Sequence, residues 1–485
     1  MHPTRPCAPE TANVVGPRTT PRRLAVALGI ALTFSSLAVQ ARDDSRDEVR
    51  KHLRSGRPHV QEELLIQFRA TADVAAQTTT LVRHRGTRIA DLRRKAERLD
   101  RKGDLALVRL PRGKTMEAAL NELELDENVE FVEPNWVYTR QQVVSPTPPN
   151  DPNLANLWGM LGATTSPSNP NGSGALALWT AGLRCDASVH VGVIDEGVMN
   201  THPDLRANIW VNAQEPSVNR VDNDTNGYID DTNGWDFDGR NRTIYDGPAD
   251  DHGSHVAGTI AATANNATGV FGVCPTAKII TAKFLGVRGG TTANAIASVR
   301  YITDLKVRKG LRIVATNNSW GGGGYSQALS DAIKAAGDQN ILFIAAAGNS
   351  NQNIDTLPSY PAAYDLPNVI AVAAIDAAGN RASFSNYGST RVHIAAPGVN
   401  ILSTIPNSRG QAAYAYYSGT SMATPHVAGA AAMFASLNPT ATAAQIKEAL
   451  LCSAAVSPQL VGWVNGARRL DVSSFRAGFT CPVTP

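Results

Sequence analysis

Hydrophobic and polar positions follow three successive rhythms along this chain. The first is one uninterrupted apolar run, residues 24–39, preceded by Arg22 and Arg23 and closed by Val39-Gln40-Ala41. A basic flank, a short apolar run and a small-residue ending form the pattern of a secretory signal cleaved after Ala41, and the run falls short of the roughly 20 residues that a membrane span needs. The Arg pair also touches on twin-arginine export, although its flanking residues fit that pattern poorly. The second rhythm is mixed. Residues 64–68, 105–110 and 129–132 read as short strands, while 89–99 and 116–125 carry apolar residues at helical spacing, an order that predicts a small α+β module. A stretch running Ser145-Pro-Thr-Pro-Pro-Asn-Asp-Pro152 follows, unable to sustain a helix or a central strand and therefore an exposed linker open to cleavage. In the third rhythm short, mainly apolar segments at 189–194, 279–284, 313–316, 341–345 and 369–373 alternate with helical stretches such as 292–309. Strands apolar on both faces predict a doubly wound α/β domain with a mostly parallel sheet covered on both sides.

Charge sharpens these divisions. The whole chain of 485 residues carries a formal +3, too near balance to point to a nucleic-acid partner. Residues 42–141 hold 20 basic and 18 acidic side chains, whereas 142–485 hold 21 and 23 in more than three times the length. The expected organisation is therefore a signal over 1–41, a charged module over 42–144 with its folded part at about 60–138, and a slightly acidic main domain over 145–485.

Three segments of the main domain carry chemistry together. Val189-His-Val-Gly-Val-Ile-Asp195 is a buried strand ending in a carboxylate, at the kind of strand end where open parallel sheets place their sites. Asp251-His252-Gly253-Ser254-His255-Val-Ala-Gly258 opens a small-residue helix with a His, and Ser418-Gly-Thr-Ser421-Met-Ala-Thr-Pro425-His-Val-Ala-Gly429 opens another with a Ser. Singly, each is a turn residue or a cap. Jointly they supply a hydroxyl, an imidazole to take its proton and a carboxylate to fix the imidazole tautomer. A fourth segment, Phe343-Ile-Ala-Ala-Ala347-Gly-Asn349, ends a strand in an amide able to meet an oxyanion. No Gly-x-Ser-x-Gly elbow surrounds Ser421, which excludes an α/β-hydrolase.

These segments resemble, nearly residue for residue, the Asp, His and Ser signatures of the subtilisin-like serine peptidases over residues 150–467. The resemblance implies that Asp195 orients His252, that His252 is the general base and acid, that Ser421 is the nucleophile and that Asn349 with the Ser421 N–H binds the oxyanion. An acid-acting relative with Glu in place of the base is opposed by His252, and an inactive binding module by the intact triad. The sequence departs from the family at Glu196, where Ser or Thr is usual and whose side chain is expected to face solvent, and at Ser254 in place of Thr. His255 and His426 read as packed structural residues. Ser319, Trp320 and Gly321 resemble the family's substrate-pairing edge, with Ala347 and Gly348 as another wall of the primary pocket and Gly289-Gly290 on the opposite edge. Activity is expected to fall below roughly pH 6 to 7 as the base protonates.

Asp222, Asp224, Asn226 and Asp230 place oxygens at the spacing that opens an EF-hand loop, with Gly227 sixth, but Asn233 stands where the closing Glu belongs. Acidic loops of this kind recur in the family as calcium sites. Asp151, Asp204 and Asn266 match the family's calcium ligands, and hard oxygens favour calcium over zinc or copper. Calcium is thus the expected, structural ion, with no cofactor for catalysis. Four cysteines remain after the leader, and two lie four residues before the adjacent strands at 189 and 278. The expected disulfides are Cys185–Cys274 and Cys452–Cys481. The charged module and its ending, Val129-Glu-Phe-Val-Glu-Pro-Asn-Trp-Val-Tyr138, resemble the family's ferredoxin-like inhibitory propeptide, with cleavage between Tyr138 and Thr147. The sum is a secreted or periplasmic, self-processing serine endopeptidase. It acts as a monomer on protein or peptide substrates, is inhibited by its own propeptide, binds no nucleic acid and has no membrane span after processing.

Overall fold

The computed structural model describes residues 46–47, 49–51, 53–54, 59–93, 103–136, 149–215 and 218–481. The apolar leader, Cys7, the cleavage window and the first half of the linker lie outside them. The chain divides into two compact units, up to Gln142 and from Val143 onward.

The first unit is a four-stranded antiparallel sheet, β1 (His59–Phe68), β2 (Thr87–Arg93), β3 (Leu105–Arg109) and β4 (Val129–Trp136), in the order β2-β3-β1-β4. Helices Val74–Arg83 and Met116–Leu123 join β1 to β2 and β3 to β4, which gives the ferredoxin-like βαββαβ arrangement. Asp73 and Thr115 cap the two helices by accepting the N–H three residues on. The expected helix at 89–99 is corrected. Residues 87–93 pair with β3, Thr87 opposite Arg109, and residues 94–99 lie outside the described set. Ile89, whose apolarity fed the helical pattern, is 40% exposed on this edge strand, so its neighbours' period of two and their ladder bonds decide the conformation.

The second unit is built on a nine-stranded sheet in the order β14-β15-β11-β10-β9-β8-β5-β7-β6. Its strands are β5 (Val189–Asp195), β6 (Gly234–Asp236), β7 (Lys278–Lys283), β8 (Arg312–Asn318), β9 (Leu342–Ala346), β10 (Val369–Ile375), β11 (Ile394–Pro397), β14 (Ala455–Val456) and β15 (Arg468–Arg469). Between them β12 (Ile401–Pro406) and β13 (Ala412–Tyr417) form a separate antiparallel hairpin. Every described pairing in the large sheet is parallel except β14 with β15. Helices Asp251–Ala261 and Thr420–Leu437 bury one face of it, and helices Thr292–Lys309 and Leu329-bearing Gln327–Asp338 bury the other. The first strand, β5, lies between β7 and β8, so the chain winds outward from it in both directions. Its carboxyl end is a topological switch point, where an open sheet leaves a crevice. Disulfides join Cys185 to Cys274, at the entries of neighbouring β5 and β7, and Cys452 to Cys481. Among the described residues no helix is long and apolar enough to cross a membrane.

Candidate active site

The fully buried strand β5 carries Asp195 to the crevice, and the helix Asp251–Ala261 brings His252 there in its first turn. His252 Nδ1 lies 2.9 Å from Asp195 Oδ1, which also accepts the Glu196 N–H at 2.8 Å. An imidazole so held keeps its proton on Nδ1 and presents Nε2. Burial pulls the His252 pKa down, but the charge and hydrogen bond of Asp195, with Glu196 and Asp251 nearby, outweigh it and push it up to about 9. An imidazole raised in this way would lose its proton above the pH 6 to 7 expected from the sequence.

Ser421 stands in the first turn of the almost wholly buried helix Thr420–Leu437. Pro425 lies four residues on, and because proline has no N–H the Ser421 carbonyl is left without its helical donor. The Ser319 hydroxyl fills that position at 2.8 Å, and the Ser421 hydroxyl in turn donates to the Ser319 carbonyl at 3.1 Å. Asn317 Nδ2 donates to Ser319 Oγ at 2.9 Å, which ties the end of β8 to the start of the helix. Ser421 Oγ thus rests on a carbonyl, and among the described residues it makes no hydrogen bond to His252.

Asn349, just past the end of β9, is oriented by Thr420. Its Oδ1 accepts both the backbone N–H and the hydroxyl of Thr420, each at 2.9 Å, while Thr420 Oγ1 accepts the Gly348 N–H at 3.1 Å. With the oxygen engaged twice, the amide nitrogen has no acceptor among the described residues and is free to donate. Gly348 itself has φ +106°, and a Cβ there would collide with Asn386 Nδ2, which donates to the Ala347 carbonyl at 2.8 Å. The wall Ala347–Gly348 is therefore rigid and close to backbone. Trp320 packs edge-on against Phe284 at 4.8 Å between centroids, and side chains added at Gly322, Gly323 or Gly324 would meet nothing within 4 Å, which leaves that edge open.

Glu196 does not face solvent. It is half-buried, and its Oε1 accepts the backbone N–H of His252 at 2.6 Å. The reason is the adjoining Gly197 at φ +130°, where a Cβ would come within 2.7 Å of Asp250 Oδ2, so the turn after Asp195 folds tightly onto the helix start. Burial and the Asp195 charge push the Glu196 carboxyl up to about 7. Tyr417 is a residue that sequence reasoning missed. Its hydroxyl donates to Asp251 Oδ2 at 2.6 Å and its ring stacks on His255 at 4.6 Å, which ties the end of β13 to the first turns of the helix Asp251–Ala261. Burial holds His255 down at about 3 and His426 at about 4, so both are neutral packing residues at physiological pH.

The two sets of candidate metal donors differ. Asp204 receives the Val270 N–H at 3.0 Å, the Tyr414 hydroxyl at 2.9 Å and Asn266 Nδ2 at 2.9 Å. Beside it, Asp151 accepts the Asn265 N–H at 2.9 Å through Oδ2, while its buried Oδ1 has no partner. Burial, with Asp204 adding to it, pushes Asp151 upward. In the acidic loop, carboxylate oxygens of Asp222, Asp224 and Glu215 lie within 4.8 Å of one another. Glu215 was invisible to spacing because it enters from the preceding turn. Asp230 instead accepts the N–H groups of Asn219 and Arg220, Asn226 accepts from the Tyr228 N–H, and Lys309 pairs with Asp224.

Comparison with known proteins matches these features. The subtilase family profile matches residues 186–477 and the fervidolysin N-terminal prodomain profile residues 46–135. The chain is 36% identical over 350 residues to an extracellular protease of Xanthomonas campestris pv. campestris, covering 69% of this chain and 57% of that protein. It is 38% identical over 247 residues to thermitase of Thermoactinomyces vulgaris, covering 51% of this chain and 74% of thermitase. Among solved structures, a protease of Pseudoalteromonas arctica superposes with a TM-score of 0.53 at 28% identity, covering 67% of this chain and 98% of that one.

Proposed function

The chain belongs to the subtilase family of serine endopeptidases and carries an N-terminal prodomain, and from that premise we propose that it is a secreted, self-processing enzyme with Ser421 as nucleophile. In this reading Ser421 Oγ leaves the Ser319 carbonyl, gives its proton to His252 Nε2 and attacks the scissile carbonyl. Asn349 Nδ2 and the Ser421 N–H receive the oxyanion, where one such donor contributes about 10² to 10³ in rate. His252 returns the proton to the departing amine, and water repeats the sequence on the acyl-enzyme. Asp195 keeps its charge throughout and balances the imidazolium. The observation that carries the reading is the 2.9 Å bond from His252 to Asp195 at the switch point, together with an Asn349 amide whose oxygen is held by the residue before Ser421 and whose donor end has no acceptor among the described residues.

Extended substrate backbone would pair with Ser319-Trp320-Gly321, and its side chain would enter beside Ala347 and Gly348. The prodomain acts as the intramolecular inhibitor until it is cut away. Asp151, Asp204 and Asn266 would hold calcium, whose charge would satisfy the unpartnered oxygen of Asp151 and tie the start of the main domain to the 263–270 loop. The Glu215, Asp222 and Asp224 carboxylates are a second oxygen-rich candidate, already part-neutralised by Lys309. The test is Ser421→Ala, followed by N-terminal sequencing of the secreted product and casein hydrolysis. Accumulation of uncleaved, inactive precursor is expected; a variant that still matures alone and cleaves casein would overturn the assignment.

A further inference from the structure

Glu196 occupies a position that neither the triad nor the oxyanion site explains. The helix Asp251–Ala261 begins without a side-chain cap from its own N-cap residue, Asp250. Asp250 is engaged elsewhere: its Oδ1 accepts from Lys283 Nζ at 2.6 Å and its Oδ2 accepts the Asp246 N–H at 2.6 Å. Glu196 takes over, reaching across from the end of β5 to the N–H of His252 itself. A carboxylate at a helix N-terminus satisfies an orphan donor and the positive end of the helix dipole. Here the capped residue is also the base, so the cap fixes the backbone from which the imidazole swings. Lys283, from the end of β7, donates to the Glu196 carbonyl, which pins the turn from the other side.

We propose that Glu196 is a positioning residue for the proton transfer: it anchors the His252 backbone and, as a second carboxylate beside Asp195, raises the pH at which the base becomes available. This rests on His252 being the base. The surroundings agree with the direction. The groups facing His252 and Glu196 are Asp195 from β5, Asp251 and His255 from the helix, Tyr417 from β13, and the Asp250–Lys283–Asp246 cluster behind the turn. Lys283, the nearest cation, is matched by Asp250 at 2.6 Å and Asp246 at 3.5 Å, and Tyr417 keeps its proton while donating to Asp251. The excess around the imidazole is negative, and Glu196 is the member of it that reaches the helix bearing His252 from outside. Asp195 Oδ2 is buried with no hydrogen-bond partner among the described residues, and the Glu196 N–H on Oδ1 is the one donor besides His252 that the triad carboxylate meets there.

The conservative variant Glu196→Gln keeps an oxygen for the His252 N–H and removes only the charge. Two readouts test it. In processed enzyme, the acid-limb midpoint of kcat/KM is expected to fall by about half a unit to one unit, equivalent to a roughly three- to tenfold rise in activity at a pH below the limb relative to the variant's own alkaline plateau. In the full chain carrying Ser421→Ala, where self-cleavage does not intervene, the ring-NMR midpoint of His252 is expected to fall by the same amount. Glu196→Ala shifts both midpoints equally and also lowers the melting temperature, because the cap is lost. A His252 ring midpoint unchanged by Glu196→Gln would overturn the proposal. A ring midpoint that falls while the activity limb stays would support the electrostatic coupling and count against His252 as the base, which separates the two failures.

Discussion

Thr420→Val offers a direct probe of how the oxyanion donor is oriented. The substitution preserves shape at a fully buried position and removes one hydroxyl. That hydroxyl makes two bonds toward the site, donating to Asn349 Oδ1 at 2.9 Å and accepting the Gly348 N–H at 3.1 Å. The Thr420 N–H still holds Asn349 Oδ1 at 2.9 Å, so orientation is weakened and not abolished. A hydrogen bond contributes about 0.5 to 1.5 kcal/mol net, so losing one of the two that aim the amide and loosening the adjoining wall together cost roughly 1 to 2 kcal/mol of transition-state stabilisation. That is a fall in kcat of about 5- to 30-fold, well short of the roughly 10² to 10³ expected for loss of the donor itself. The assay is initial-rate hydrolysis of a chromogenic peptide with kcat and KM resolved separately, and KM should stay within about twofold. The decisive comparison is Thr420→Val in an Asn349→Ala background, where its cost in kcat should shrink to that of the loosened Gly348 wall alone because no amide remains to be aimed. An equal cost in both backgrounds, or a rise in KM at constant kcat, would refute the reasoning.

Gly348→Ala forces a Cβ onto Asn386 at a positive φ, so both the substrate wall and Asn349 shift; kcat/KM on extended peptides should drop at least tenfold, read in the same assay. Replacing Cys185 and Cys274 by Ala opens a loop with a sequence separation of 89, for which chain entropy gives a loss of about 4 to 5 kcal/mol, measurable by denaturant unfolding. A strong calcium chelator should shorten the half-life at elevated temperature, and Asp204→Asn should make the enzyme equally labile with no further effect of chelator; an unchanged half-life would remove the calcium assignment. Unfolding free energy should decline from about pH 5 to pH 9 as Glu196 and then His252 titrate, followed by denaturant melts at fixed ionic strength with Ser421→Ala to suppress autolysis.

Much of this arrangement is legible in the residues because the signals are redundant. The strands at 341–345 and 369–373 are apolar at every position and that at 189–194 at all but His190, which with their short length and turn-bounded ends marks strands buried on both faces. The triad segments likewise combine a strand end with two small-residue helices that only close packing can explain. Legibility fails where a side chain's role depends on a tertiary partner. Glu196 looks like any polar residue in a turn until Gly197 folds it onto the helix start. Glu215 lies seven residues before Asp222, outside any loop spacing, and joins the cluster through the fold of the turn. The hairpin β12–β13 carries only a short alternation in Ala412–Tyr417, and nothing in that pattern tells that Tyr414 and Tyr417 reach Asp204 and Asp251. The edge strand at 87–93 was misread because its apolar residues are too few to fix a period without its ladder partner.

The protonation state that works is also the one the fold favours least. Catalysis needs His252 neutral so that it can take the Ser421 proton. Glu196 is raised in the folded state, so between its ordinary carboxylate value and about 7 the native state holds a proton that the unfolded chain has released, and stability falls as pH rises through that window. His252 is raised as well: its ion pair with Asp195 contributes fully below the ordinary imidazole value and is lost as pH climbs toward about 9. Both groups therefore withdraw stability over the range in which activity grows. The remedy must come from interactions that do not titrate there, and the structure places several beside the site. Lys283 is pinned between Asp250 and Asp246, the Ser319–Ser421 pair locks strand to helix through neutral hydrogen bonds, and the Cys185–Cys274 bridge ties the entries of β5 and β7. A cluster of carboxylates around the base thus exacts a cost in stability, and the Lys283 ion pairs and the Ser319–Ser421 hydrogen bonds at the carboxyl ends of β7 and β8, with the disulfide at the entries of β5 and β7, are positioned to offset it.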